Sequence, residues 1–133
     1  MKIKKYYSSN FLNKKKRKIL NRPEQTLQKN CVEWFHIVYP HKRIIHIPNG
    51  GKRNFLEAVQ LKKMGVSPGV YDLFIPHPKK GYHGFWIEMK SDVGVLSDNQ
   101  KVFKFDMDKE GYLTKECKNF EDFQIIVKDY LND

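Results

Sequence analysis

The sequence predicts an α/β fold: one mixed β-sheet flanked by helices, in the order α-β-α-β-β-α-β-α. Three observations carry this expectation. Apolar residues recur at helical spacing in segments that alternate with short apolar and aromatic runs. Capping signals and Gly or Pro punctuation fall at the ends of those segments. Two of the apolar runs, side by side in sequence, each carry one carboxylate in their middle.

Taken in order, the first helix spans Arg22 to Tyr39. Leu27, Cys31, Trp34, Phe35 and Val38 lie on one face, Asn21 and Pro23 suit its start, and Pro40 ends it. Arg43 to Ile47 reads as a short strand closed by the Pro48-Asn49-Gly50-Gly51 turn. Asn54 to Met64 is expected to be a helix with Phe55, Ala58, Leu61 and Met64 toward the core, stopped by Gly65. Val70 to Ile75 and Phe85 to Lys90 read as the arms of a hairpin with a long loop from Pro76 to Gly84.

Ser97-Asp98-Asn99-Gln100 fits a capping box and opens a helix to about Glu110, with Gly111 at its end. Tyr112 to Cys117 is the last strand. Asn119 caps a final helix bearing Phe123, Ile126, Val127, Tyr130 and Leu131 on one face.

A chain of 133 residues has room for one hydrophobic core, and 40% hydrophobic residues suffice to build it. No run approaches the ~18 consecutive apolar residues of a membrane span. The start of the chain lacks the apolar stretch of a secretory signal, so a soluble, cytoplasmic protein is expected, with no membrane partner. Cys31 and Cys117 have no CxxC or Cys/His spacing and read as small core residues.

The net charge of +10 is unevenly placed. Residues 1–22 hold nine Lys/Arg, among them Lys14, Lys15, Lys16, Arg17 and Lys18, and no acid. The other 111 residues carry 16 basic against 15 acidic groups. The expected division is a basic arm, 1–22, that contacts phosphates, and a folded domain, 23–133. A merely solubilising tail is the alternative.

The carboxylates inside the hairpin are the most informative feature. With the loop centred near Lys80, antiparallel register sets Asp72 opposite Glu88. Opposed like charges destabilise a sheet unless a cation lies between them, and oxygen ligands of this kind suit Mg²⁺ or Mn²⁺. Strand alternation puts Lys90 on the face of Glu88, where an ammonium can orient an attacking water and stabilise charge on a phosphate. Metal-assisted phosphodiester hydrolysis is the reaction class that fits. Glu24 heads the core-facing stripe of the first helix and is a third carboxylate, or else a first-turn acid favoured by the helix dipole. Gln100 is explained by its capping box, yet starts a helix that must lie near the Glu88 strand.

Asn49-Gly50-Gly51-Lys52-Arg53 joins a flexible turn to two cations, which suits a phosphate contact as well as a solvated turn. Lys62 and Lys63 extend the basic surface, although a helix end favours cations in any case. His46, beside that turn, is a candidate substrate contact. Tyr82, Phe85 and Trp86 are candidates for stacking on unpaired bases, with core packing as the alternative for the last two.

These residues together resemble the VRR-NUC family of the PD-(D/E)XK nuclease superfamily, in its stand-alone phage and bacterial form. The resemblance rests on Glu24-Gln-Thr-Leu-Gln28, His46-Ile-Pro-Asn-Gly-Gly-Lys-Arg53, Lys62-Lys-Met-Gly-Val-Ser-Pro-Gly-Val-Tyr-Asp-Leu73, Ile87-Glu-Met-Lys90 and Leu96-Ser-Asp-Asn-Gln100. It implies a restriction-endonuclease-like core. It further implies Asp72, Glu88, Glu24 and the Met89 backbone carbonyl around the metal, Lys90 on the water and phosphate, and Gln100 in support. One departure is visible: Tyr71 stands where the family usually has proline. The resemblance also implies a homodimer acting on branched, Holliday-junction-like DNA in replication or repair, with no small-molecule cofactor. The competing expectation is a non-catalytic nucleic-acid-binding module that uses the basic arm.

Overall fold

The computed structural model describes residues 23–49 and 53–133. The basic arm, with Lys14, Lys15, Lys16, Arg17 and Lys18, lies outside the described residues, as do Gly50, Gly51 and Lys52. Eight elements follow in the expected order. They are α1 (Pro23–Val38), β1 (Ile45–His46), α2 (Phe55–Lys63), β2 (Leu73–Ile75), β3 (Phe85–Met89), α3 (Asp98–Lys109), β4 (Leu113–Cys117) and α4 (Phe120–Leu131). The four strands form one mixed sheet in the order β1-β2-β3-β4, and the arrangement is consistent with restriction-endonuclease-like folds.

β1/β2 and β2/β3 are antiparallel, whereas β3/β4 is parallel. A parallel pair needs a crossover long enough to bring the chain back, and α3 supplies it. The register of the hairpin follows from the expected centre: Leu73 pairs with Ile87, Phe74 with Trp86 and Ile75 with Phe85. Its tip is tighter than the loop length suggests. Lys79 and Tyr82 form a bridge around Lys80 and Gly81, which both take positive φ, 54° and 85°. That two-residue turn matches the twist of the arms, and Gly81 adopts it without a Cβ penalty.

One face of the sheet carries Leu73, Ile75, Phe85, Ile87, Met89 and Cys117, all buried. They form a single core with Cys31 and Phe35 of α1 and with Phe123, Val127, Tyr130 and Leu131 of α4. Each such large apolar side chain contributes roughly 1.5–3 kcal/mol on burial. The other face meets α3, where Phe103 contacts both Tyr71 and Trp86 edge-on or tilted at 5.2 and 5.1 Å. Both cysteines are free and buried in the core, as expected.

Two expectations need correction. α2 forms where expected, with Asn54 accepting from the Glu57 N–H as its cap, but no residue of it is buried. Phe55 and Met64 are 80% and 79% exposed, and Ala58 also faces solvent. Periodicity identifies an amphipathic helix, but does not say whether its partner lies in the same chain. The second correction concerns Val70 to Asp72, which precede β2 instead of belonging to it. Gly69, at φ +81°, brings the backbone hard against Asn99 at the start of α3, and Tyr71 turns toward Phe103. Among the described residues, no helix is long and apolar enough to cross a membrane.

Candidate functional site

The site lies where the ladder of β2 and β3 runs out, on the face toward α3. One step beyond the Leu73–Ile87 pair stand Asp72 and Glu88. Asp72 is fixed from the backbone: its Oδ2 accepts from the Met89 N–H at 3.0 Å. In an extended strand the carbonyl of a residue faces the same neighbour as its N–H, so the Met89 carbonyl is on the Asp72 side as well.

Glu88 is 2% exposed, an unusual place for a carboxylate. Burial, and then the hydrogen-bonded Asp72 carboxylate beside it, push its pKa up to about 9, with Lys90 pulling the other way. Without an added cation the pair therefore retains a proton at neutral pH. Lys90 Nζ lies 3.8 Å from Glu88 Oε2, and its own backbone N–H donates to the Cys117 carbonyl, which keeps the strand extended past Met89.

Gln100 serves both roles that the sequence left open. Its Oε1 accepts from the Ser97 N–H while the Ser97 hydroxyl accepts from the Gln100 N–H, completing the capping box. Its Nε2 then donates to Glu88 Oε2 at 2.5 Å.

Glu24, in the first turn of α1, reaches the same end of β3. Its Oε1 accepts from the Ser91 N–H at 2.9 Å, one residue past Lys90. It is engaged by backbone there and does not close on Asp72 and Glu88. Among the described residues, no group of three His, Cys, Asp or Glu is placed to hold a metal ion. The donor set still fits a hard cation, because two adjacent carboxylates with waters and substrate phosphates are what Mg²⁺ uses, and a cation can take the place of the proton that the pair retains without one.

Of the expected nucleic-acid contacts, Asn49, Arg53, Lys62 and Lys63 fall among the described residues. Asn49 Nδ2 donates to the Ser67 carbonyl, tying the turn after β1 to the segment that leads into Asp72. Arg53 is exposed beside it, and Lys62 and Lys63 are exposed in the last turn of α2. His46 is joined to the centre directly: its Nδ1 donates to the Asp72 carbonyl at 2.8 Å. Phe85 belongs to the core, and Trp86 stacks on Phe74 at 4.2 Å, so neither ring is free for a base.

Two features escaped the sequence. Glu116 pairs in register with Glu88 on β4, which places a further carboxylate on the same face. No sequence signal sets that register, since it depends on a parallel pairing made through α3. The second is Tyr71, fully buried, whose hydroxyl has no hydrogen-bond partner among the described residues; Trp86 Nε1 is in the same position. Burial and the nearby Glu116, Glu88 and Asp108 carboxylates raise the Tyr71 phenol far above its ordinary range.

The architecture is a mixed sheet covered on both faces, with adjacent carboxylates at the end of its central hairpin and a lysine two residues on. No family model matches the chain, and no curated protein matches it. Among solved structures, a VRR_NUC domain protein is similar, at 25% identity and a TM-score of 0.68, over 81% of this chain and 87% of that one. The likeness is distant but covers nearly the whole described fold.

Proposed function

We propose that this chain is a Mg²⁺- or Mn²⁺-dependent DNA endonuclease, with residues 1–22 as a basic arm on a nuclease domain formed by 23–133. The observation that carries the reading is the buried Glu88 carboxylate against the half-buried Asp72, with Lys90 Nζ at 3.8 Å from Glu88. A binding module gains nothing from burying one carboxylate against a second at a surface meant for phosphates. The likeness to a VRR_NUC domain protein supports the same class.

Asp72, Glu88 and the Met89 carbonyl would hold the cation, with Glu24 at the margin. When bound, it supplies Lewis-acid chemistry, acidifying water and neutralising phosphate charge. The chain's own residues do the rest. Lys90 presents an ammonium to the water and to the developing charge on the phosphate. Gln100 fixes the Glu88 carboxylate in one rotamer, and the Met89 N–H does the same for Asp72. Glu24 pins the Ser91 backbone and so the direction in which Lys90 leaves the strand.

Branched or junction DNA is the proposed substrate class, in replication or repair and in the cytoplasm. The homodimer is supported by the exposed apolar side chains Phe55 and Leu56 at the start of α2. A panel of labelled duplex, single-stranded, flap and four-way-junction DNA tests the substrate class. Preference for the branched members is expected, and activity confined to linear single strands would end that reading. In light scattering, Phe55→Glu is expected to convert a dimer to a monomer; a wild-type monomer would dismiss the dimer.

The rival, a non-catalytic nucleic-acid-binding module, is favoured by one observation. Among the described residues no third metal-ligating side chain joins Asp72 and Glu88. It predicts salt-sensitive binding with no cutting under any divalent cation.

A further inference from the structure

A groove of about 540 Å³ runs beside the site, between α1 and the edge strand β1. Its volume is within the ~300–1,000 Å³ of small-ligand sites. Gln28, Val32 and His36 line it from α1 and His46 from β1. It is continuous with the centre at two points. His46 Nδ1 donates to the Asp72 carbonyl at 2.8 Å, and Gln28 is one helical turn beyond Glu24.

The chemistry of the lining selects among the parts of a nucleotide. Lys29 and Glu33 are both in it and oppose each other in charge, so it holds no net attraction for a phosphate. What remains is an apolar patch at Val32, two exposed imidazoles and the amides of Gln28 and Asn30. Imidazole faces stack on bases, and a side-chain amide offers a donor and an acceptor to a base edge.

We infer that this groove receives one unpaired base next to the bond that the Asp72–Glu88 centre acts on, with His36 and His46 as its stacking walls. The inference rests on the nuclease reading only for the scissile bond beside the base; base binding itself does not require cutting. It supplies a physical reason for branched substrates: a fully paired duplex keeps its bases stacked inside, whereas a flap or junction arm offers one at no unpairing cost.

The test is binding in EDTA, with the full chain and two labelled DNAs, a fully paired duplex and a splayed duplex with single-stranded arms. Wild type is expected to prefer the splayed form. His36→Ala is expected to weaken that binding about tenfold and to leave duplex binding within about twofold, as loss of one stacking contact predicts. His36→Phe, which keeps a stacking face, is expected to restore it. Equal weakening on both DNAs, no weakening, or no rescue by phenylalanine overturns the inference. Failure of wild type to cut any DNA, with this binding pattern intact, removes the nuclease reading and leaves the groove standing.

Discussion

Gln100 and Glu88 are joined by a hydrogen bond in which the amide that completes the α3 capping box also donates to the most buried carboxylate of the sheet. One side chain thus sets both where the helix starts and how the carboxylate points. Substitutions on the two sides of this arrangement should separate the functions. Ser97→Ala removes a cap and is expected to cost about 1 kcal/mol of stability, read as a lower melting temperature, with cleavage largely kept. Gln100→Leu is expected to match that loss and also to lower kcat by about tenfold or more, because Glu88 loses its orienting donor.

Glu88 makes stability depend on pH in a defined direction. The unfolded carboxyl loses its proton near 4.5, while the folded one keeps it to about 9. Between those values the folded state binds more protons, so stability falls as pH rises, by at most about 1.4 kcal/mol per pH unit from this group. In urea unfolding with EDTA, Glu88→Gln is expected to flatten that fall and to be the more stable form at pH 8. A divalent cation that replaces the proton should raise the melting temperature more at pH 8 than at pH 6. An unchanged pH slope in Glu88→Gln would reject the buried, protonated carboxyl.

Gly69 lies under the start of α3, and an added Cβ would come within 2.3 Å of the Asn99 carbonyl oxygen and 2.8 Å of the Gln100 N. Both are backbone, so the helix start must move. Gly69→Ala is expected to cost more than the ~1–2 kcal/mol of a left-handed alanine alone. Cleavage should fall together with the melting temperature, because Gln100 moves with the helix. A variant with wild-type stability and activity would show that this contact constrains nothing.

The basic arm predicts a division of labour. Deleting residues 1–22 removes nine of the 25 Lys/Arg. DNA binding is expected to weaken and its dependence on salt to flatten, while metal-dependent cutting persists at high enzyme concentration. Loss of the metal-induced gain in melting temperature in the truncated chain would contradict the separation of arm and centre.

Local signals account for what was legible in the sequence. The caps Ser97 and Asn119 act within three residues, so their spacing is printed in the chain, and both accept from the backbone N–H three residues on. The placement of Asp72 beside Glu88 was readable too, because a hairpin register follows from its loop centre. Long-range pairing was not. Glu116 reaches Glu88 only through a parallel strand twenty-eight positions away in sequence, after a helix. The side of α2 that carries Phe55 and Met64 was misread because amphipathic spacing is the same whether a face meets its own core or something outside it. Glu24 reads in the sequence as a third carboxylate or a first-turn acid, and its bond to the Ser91 N–H depends on how α1 crosses the sheet, which no local pattern encodes.

The central claim is that the Asp72–Glu88 pair and Lys90 hydrolyse phosphodiesters with a divalent cation. Nicking of supercoiled plasmid by wild type, Glu88→Gln and Lys90→Ala, each with Mg²⁺, Mn²⁺ or EDTA, tests it most directly. The predicted result is cutting by wild type with either metal, none in EDTA, and a loss of roughly a hundredfold or more in both variants, whose fold is checked by circular dichroism. Cutting in EDTA, equal cutting by the variants, or no cutting by wild type with either metal would contradict it.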